Sequence, residues 1–230
     1  MVTYIEKIIT AGKGKISKWV FVSEPFGSGD IPPQSFWQEK LGSNAQDTEW
    51  VKIAFRTANK ADPNAQLILC DFGIEIPNSW LNNQHPEKAD RIFNLAKELH
   101  DEGLPVEIGF QMHMIGNDTT TSDRIKNQVV SFKKNIKRYQ DVGINVSIVE
   151  WDVNMEQVSG TQEQKMKLQE DIYRAFLVAA LESGITDINF FQSSDEQSWL
   201  GLNALATLRH DGKEKPAWFA VFNVIANFAK

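Results

Sequence analysis

Two glutamates stand where apolar stretches of the sequence give way to other residue types. Glu24 ends "WVFVSE" just before Pro25, and Glu150 lies within "NVSIVEWDV". Two carboxyl groups flanking a glycosidic bond can hydrolyse it, because one protonates the leaving oxygen while the other attacks the anomeric carbon. In enzymes that retain stereochemistry the two groups lie roughly 5–5.5 Å apart. A single glutamate at a strand end more often caps a helix or pairs with a surface lysine, so only the pair indicates catalysis.

Polar side chains also end the other apolar stretches. Asp71 ends the second, Gln111 and His113 end the third, and Gln192 and Asp195 follow the fifth. An amide and an imidazole beside a nucleophilic carboxylate can fix its orientation and its charge. We expect Gln111 and His113 to have that role.

A metal site is the alternative use of His113, with Asp71, Glu150 or Asp152 as further ligands, since carboxylate and imidazole groups suit divalent metals. The sequence has only four histidines and no H-x-H or H-E-x-x-H motif, so we predict neither a metal nor another cofactor. The single cysteine, Cys70, excludes an internal disulfide and a cysteine-rich metal site.

The seven tryptophans include three in or beside strand-to-helix loops, namely Trp80, Trp151 and Trp199. Indole faces there can stack on sugar rings, and a position in the core is the alternative for each. Ser23, which precedes Glu24, also lies at a strand end, but the sequence contains no G-x-S-x-G elbow for a serine nucleophile.

The elements that position these residues alternate along the chain. Five nearly continuous apolar runs predict parallel strands buried on both faces, at 19–24, 65–72, 106–113, 145–153 and 187–194. Stretches with helical periodicity separate them, at 1–12, 47–63, 86–102, 122–142, 162–183 and from Pro216 onward. Strands that alternate with helices indicate a parallel sheet.

Two architectures fit this alternation, an open doubly wound sheet and a (β/α)₈ barrel. An open sheet would usually carry a Gly-rich phosphate loop at one switch point, and no G-x-G-x-x-G or P-loop occurs here. In a barrel the carboxyl ends of all strands converge on one mouth, so the polar residues that end the five runs would meet there. We therefore predict an α/β fold of one domain over 1–230: a partial TIM-type barrel of five βα units preceded by a helix, with about three units absent.

Composition narrows the classes of partner. The 230-residue chain has a net charge of −6 with 42% hydrophobic and 23% charged residues, typical of a globular protein. That charge disfavours nucleic acid and anionic membranes, and no apolar stretch approaches the ~20 residues that span a bilayer. The N-terminus lacks the basic head and apolar run of a signal peptide.

The same stretches resemble the glycoside hydrolase family 10 xylanases. Residues 19–24 are similar to the family's acid/base segment W-D-V-V-N-E, and residues 148–153 to its nucleophile segment I-T-E-L-D-V. "FQMHM" at 110–114 is similar to F-Q-M-H-I. "SSDEQSWL" and "DGKEKPAWFAV" are similar to T-D-x-x-S-W and to the P-K-P-A-Y segment. The resemblance covers nearly the entire chain, in order and with the expected spacing.

This resemblance implies a role for each residue. Glu24 would be the general acid/base and Glu150 the nucleophile, supported by His113 and Gln111. Trp199 would line a sugar subsite, the substrate would be β-1,4-xylan, and the five strands would be the fourth to eighth of the barrel. Secretion would be expected from the family, although this chain shows no signal peptide.

The chain departs from the family pattern at several predicted substrate contacts. Ser23 replaces the asparagine that would bond the sugar 2-hydroxyl, and Phe191 replaces a stacking tryptophan. The family's N-D-Y-N is here 70–73, with only Asp71 retained. The predicted substrate-binding residues are Ser23, Asp71, Trp151, Phe191 and Trp199.

Two functions follow from these observations: a retaining β-1,4-xylanase, or a catalytically impaired relative that binds carbohydrate or another partner. A metal-assisted barrel hydrolase is a third, more remote reading. Five parallel strands would expose two unpaired edges, so we expect self-association or a complementing segment to cover them.

Overall fold

The computed structural model describes residues 1–26, 40, 48–77 and 87–229. Its helices are α1 (Val2–Gly12), α2 (Glu49–Ala61), α3 (Lys88–Asp101), α4 (Ser122–Gln140), α5 (Gln162–Glu182) and α6 (Pro216–Phe228). Its strands are β1 (Lys18–Ser23), β2 (Gln66–Asp71), β3 (Val106–Phe110), β4 (His113–Asn117), β5 (Asn145–Gln157), β6 (Ile188–Phe190), β7 (Arg209–His210) and β8 (Lys213–Glu214).

The strands of the main sheet pair in parallel, in the order β1-β2-β3-β5-β6. β4 follows β3 after a two-residue break and also pairs in parallel with β5. The register shifts by one residue between them, from Phe110 opposite Ile148 to His113 opposite Asp152. Such irregularities re-aim side chains near functional sites. β7 and β8 form a separate antiparallel hairpin.

The curvature of the sheet is that of a barrel, as an ion-pair layer at its amino end shows. Lys18 Nζ of β1 lies 2.9 Å from Glu107 Oε1 of β3 and 2.8 Å from Asp187 Oδ2, just before β6. β1, β3 and β6 are alternate strands of the sheet, and barrel interiors are filled by layers drawn from alternate strands. The predicted partial barrel of five βα units, preceded by a helix, is confirmed.

Two of the described helices, α4 and α5, begin after a threonine whose side chain caps the first turn, and the helices bury their apolar stripes against the sheet. Thr161 and Gln164 form a capping box at the start of α5, each side chain accepting a hydrogen bond from the other residue's backbone N–H. On α4, Phe132 packs on Phe110 of β3 and on Phe176 of α5, with ring centroids 6.0 and 5.4 Å apart. Among the described residues no helix is both long enough and apolar enough to cross a membrane.

Two flanks of the half-barrel keep large apolar side chains exposed. One flank is formed by α1 and β1 and the other by α6. The exposed residues are Val2, Tyr4, Ile8, Val20, Phe219, Phe222, Ile225 and Phe228. β1 and β6 are the outermost strands of the sheet, and the exposed apolar side chains lie on β1, on the helix before it and on the next α-helix after β6.

Two predicted boundaries move in ways that bear on function. β6 covers only Ile188–Phe190 instead of 187–194, because the following residues turn into a short 3₁₀ helix at Asp195–Gln197. β1 ends at Ser23, and Glu24 lies just beyond it with φ of +54°. The predicted helix starts at positions 47 and 86 lie outside the described residues.

Gly109 lies in the middle of β3, where a substitution can test how closely the strands pack. A Cβ at this position would lie 2.7 Å from Ile68 Cγ2 and 2.8 Å from Val149 Cγ1, on the two neighbouring strands. Overpacking of this kind costs about 1–3 kcal/mol. We expect Gly109→Ala to lower the free energy of unfolding by about that amount in urea titrations. An unchanged midpoint would mean that the strands are not packed this tightly.

Candidate active site

Glu24 occupies an unusual turn at the end of β1. Its backbone N–H donates a hydrogen bond to the Cys70 carbonyl at 2.9 Å, which ties it to β2. Its φ of +54° is left-handed, a region that residues other than glycine rarely adopt. The side chain is exposed at the carboxyl end of the sheet, where a carboxyl group is accessible to a ligand.

Gln111 connects the Glu24 end of the site to β3. Its side chain is fully buried, and Nε2 donates to Ser23 Oγ at 3.0 Å and contacts Cys70 Sγ at 3.7 Å. Burial raises the pKa of the Cys70 thiol to about 11, although its hydrogen bonds with Ser23 and Gln111 act in the opposite direction. The amide of Gln111 therefore holds the residue next to Glu24, whereas Glu150 is contacted by His113.

His113 lies between two carboxylates of β5. Its Nε2 is 3.4 Å from Glu150 Oε2, and its Nδ1 is 3.1 Å from Asp152 Oδ2. Burial by itself would lower the pKa of the imidazole, but hydrogen bonds and charge from Asp152 and Glu150 outweigh burial and raise it to about 9. A protonated His113 therefore places a positive charge beside the Glu150 carboxyl group at neutral pH.

Asp152 is a member of this site that the predicted set of functional residues missed. It is buried, and its Oδ2 accepts a hydrogen bond from Trp199 Nε1 at 2.8 Å in addition to its contact with His113. The signal was in the strand periodicity: residues two apart on a strand share a face, so Asp152 must accompany Glu150. The aspartate thus joins the imidazole to the indole.

Trp199 and Phe191 form the aromatic part of the site. Both are exposed, and both rings meet the imidazole of His113 edge-on, with centroids 5.3 Å away. The backbone of Trp199 is fixed by Gln192, whose Oε1 accepts a hydrogen bond from the Trp199 backbone N–H at 2.6 Å. Their exposed faces lie beside the His113–Glu150 pair, where a sugar ring could stack on them.

Two residues predicted to bind substrate are buried instead. Trp151 is 1% exposed and packs against Tyr173 and Phe190, since it faces the opposite side of β5 from its neighbours. Asp71 has no exposed surface. Because neither side chain offers a surface to a ligand, the expected direct contact with substrate is corrected for both: Trp151 packs in the core, and Asp71 lies beneath the surface.

The remaining expectations concern Trp80 and a metal. Trp80 lies outside the described residues. Within the described ranges there is no cluster of three or more histidine, cysteine or acidic side chains arranged to hold a metal ion. The candidate site consists of Glu24, Ser23, Gln111, His113, Glu150, Asp152, Phe191 and Trp199. Glu24, Gln111 and Phe191 directly follow β1, β3 and β6, and Glu150 and Asp152 lie within β5 just beyond the last pair that it forms with β3.

Comparison with known proteins gives a consistent assignment. The family model of glycosyl hydrolase family 10 matches residues 1–224. Endo-1,4-beta-xylanase B of Thermotoga neapolitana is 26% identical over 225 residues, covering 95% of this chain and 59% of the relative. An endo-1,4-beta-xylanase of Agaricus bisporus is 26% identical over 195 residues, covering 84% of this chain and 51% of the relative. The chain thus spans little more than half the length of these relatives.

Solved structures agree with the sequence matches. Native xylanase 10B from Thermotoga maritima superposes with a TM-score of 0.80 at 27% identity, covering 98% of this chain and 65% of that one. Xylanase 10B from Thermotoga petrophila, solved in complex with xylobiose, also gives 0.80 at 26% identity, covering 100% and 65% of the two chains.

The raised pKa of His113 predicts a pH-dependent contribution to stability. A histidine that binds its proton more tightly in the folded state stabilises fully below its ordinary pKa of 6.5, and the effect is lost as pH rises through about 9. We expect His113→Gln to be about 1–3 kcal/mol less stable than the parent at pH 6, with the difference shrinking by pH 9.5. Urea unfolding of both proteins at the two pH values measures this. A difference that does not change with pH would contradict a protonated His113.

Proposed function

The chain belongs to glycosyl hydrolase family 10, and from that membership we propose that it hydrolyses β-1,4-xylosidic bonds in xylan with retention of configuration. The observation that carries the proposal is the contact of Glu150 with His113, which Asp152 flanks on its other side. This group lies at the same end of the sheet as Glu24. Two glutamates at one rim, one of them beside a cationic imidazole, are the parts that a double displacement needs.

The proposed reaction has two steps. In the first, a carboxylate oxygen of Glu150 attacks the anomeric carbon while the glycosidic C–O bond breaks and Glu24 gives its proton to the leaving oxygen. In the second, Glu24 takes a proton from water, whose oxygen attacks the anomeric carbon and displaces Glu150. The positive charge of His113 would stabilise the negative charge that returns to Glu150 as it leaves the anomeric carbon in the second step.

Xylan is the proposed substrate because the relatives are named endo-1,4-beta-xylanases and one structural neighbour was solved with xylobiose. Trp199 and Phe191 would provide stacking faces for sugar rings, since both are exposed beside His113. Ser23, held by Gln111, would face the sugar next to Glu24.

A carbohydrate-binding protein without turnover is the second candidate. Ser23, Phe191 and Cys70 stand where the family pattern has larger hydrogen-bonding or stacking groups. Loss of several such contacts weakens transition-state stabilisation while stacking on Trp199 persists. In that case saccharides would bind without being cleaved.

Substitution of the two glutamates tests the enzymatic proposal. We expect Glu24→Gln to lower xylan hydrolysis by about 10²–10⁴-fold, because the leaving oxygen loses its acid. Glu150→Gln should abolish turnover, since an amide does not form the glycosyl-enzyme. Reducing-sugar release from xylan is the assay, and Glu163→Gln, at an exposed position in the first turn of α5, is the matched control. Saccharide binding without turnover in the parent, unaffected by both substitutions, would favour the binding protein.

The open flanks of the half-barrel are proposed to be covered by other polypeptide. The relatives are longer than this chain, and full barrels close with eight strands, whereas the described residues supply five to the main barrel sheet. Exposed Val20 borders the β1 edge, and Phe222 lies in the apolar face of α6. Apolar faces and unpaired edges of this kind favour association. As one domain over residues 1–230, the chain would either self-associate there or receive a segment of about three βα units.

Self-association makes a testable prediction about the isolated chain. We expect concentration-dependent oligomers in sedimentation or light-scattering measurements, and a shift to monomer in the double variant Val20→Lys/Phe222→Lys. Val130→Lys is the control, because Val130 is 52% exposed on α4, away from the edges. A parent that stays monomeric at all concentrations contradicts self-association and leaves the complementing segment as the proposed cover.

A further inference from the structure

A buried ion pair lies directly behind the turn that carries Glu24, and no step of the proposed reaction uses it. Lys88 Nζ, at the first residue of α3, is 2.5 Å from Asp71 Oδ1 at the last residue of β2. The two side chains are 4% and 0% exposed. Pairs buried this deeply are costly to form and seldom add net stability, so their value lies in the geometry that they impose.

The geometry imposed here is that of the Glu24 turn. Asp71 Oδ2 accepts a hydrogen bond from the backbone N–H of Phe26 at 3.4 Å, two residues beyond Glu24. The N–H of Glu24 itself is bonded to the carbonyl of Cys70. The backbone on both sides of Glu24 is therefore attached to two consecutive residues of β2, and Pro25 between them has no N–H of its own.

The turn needs such attachment because its conformation is strained. A left-handed φ at a residue with a Cβ costs about 1–2 kcal/mol, and it persists only where the surroundings determine it. α3 adds a second anchor, because the guanidinium of Arg91 lies 4.1 Å from the centre of the Phe26 ring. Lys88 Nζ lies 3.3 Å from the centre of the Phe72 ring. The backbone N–H of Phe72 also donates a hydrogen bond to Asp71 Oδ1 at 2.9 Å.

The charge of Lys88 keeps Asp71 a strong acceptor. Burial raises the pKa of Asp71 to about 6, while Lys88 and the two backbone N–H groups oppose that rise. Burial also lowers the pKa of Lys88, opposed by the charges of Asp71, Glu24 and Glu75. Without the ammonium the carboxyl would gain a proton more readily, and a neutral carboxyl accepts the Phe26 N–H more weakly than a carboxylate does.

We propose that Lys88 is a positioning residue for the general acid/base: through Asp71 it fixes the left-handed turn that aims the Glu24 carboxyl at the leaving oxygen. The inference rests on the proposed role of Glu24. It predicts a defect in protonating the leaving group, not in the attack by Glu150.

The leaving group of the substrate separates these two effects. A 2,4-dinitrophenyl glycoside departs without a proton, so kcat/KM for it does not depend on Glu24, whereas a xylo-oligosaccharide requires the acid. For Lys88→Met we expect kcat/KM to fall roughly 10–100-fold on the oligosaccharide and less than about 3-fold on the dinitrophenyl substrate. Lys88→Arg, which keeps the charge, should recover part of the loss.

The structure supplies a matched control in a second buried pair. Lys215 Nζ lies 3.1 Å from Asp195 Oδ2, with side chains 2% and 0% exposed. Lys215→Met should therefore cause a similar loss of stability while affecting both substrates alike. If Lys88→Met also lowers both values equally, the positioning role is overturned. Lys88→Gln, which keeps hydrogen-bond donors without the charge, takes its place if Lys88→Met does not fold.

A second measurement decides the inference even if the chain proves inactive. Amide hydrogen exchange of Glu24 and Phe26 reports their bonds to β2 without any substrate. We expect exchange at least 10-fold faster in Lys88→Met than in the parent and in Lys215→Met. Unchanged exchange would overturn the proposal. If the parent cleaves neither substrate but exchange is faster in Lys88→Met, Lys88 does hold the Glu24 turn and the proposed hydrolysis is rejected.

Discussion

Parallel pairing of the five strands decides where every functional group of this protein can lie. Because all strands run in one direction, the residues that follow them meet at a single rim, however far apart they are in the sequence. Glu24, Gln111, His113 and Glu150 lie in or directly after four strands, β1, β3, β4 and β5, and are joined there by contacts from Ser23 to Gln111 and from His113 to Glu150. Within the part of the chain that the structure describes, the outer sides of β1 and β6 have no strand partner, so the site and the open flanks both follow from the arrangement of the sheet.

Charged groups behind the rim convert this placement into a defined geometry. His113 is held between Glu150 and Asp152, Lys88 is held by Asp71, and Lys215 by Asp195. The two lysine–aspartate pairs are buried, and buried ion pairs contribute little net stability. Leaving one of these charges without its partner is strongly destabilising, so each of the two pairs specifies one arrangement of the chain. The Trp199 side of the site depends on Asp152 in the same way that the Glu24 side depends on Asp71.

Much of the fold could be predicted because it follows from local patterns. Apolar runs between amphipathic stretches predicted the strands and helices to within a few residues, and the position of Glu24 at the end of β1 was evident. Glu150 lies inside β5, which continues to Gln157. The side chains were harder to place. Trp151 was expected to meet substrate, but it faces the core, because side chains alternate along β5. Asp71 was expected at the sugar and is buried, since no local pattern shows which carboxylate a distant lysine will contact. Asp152 was missed although it shares a face of β5 with Glu150, because its contacts with His113 and Trp199 come from distant segments.

The sequence by itself determined the alternation of helices and strands, the parallel sheet, and the polar residues at the strand ends, since each depends on neighbours within a few positions. Only the tertiary structure decided which of those residues act together. The register shift between β3 and β4 places His113 against Asp152, and the curvature of the sheet brings Lys18 to Asp187. The left-handed turn at Glu24 exists because β2 and α3 hold it from behind. These are contacts between distant segments, whose distances are set by the packing of the whole domain and are therefore absent from any local pattern.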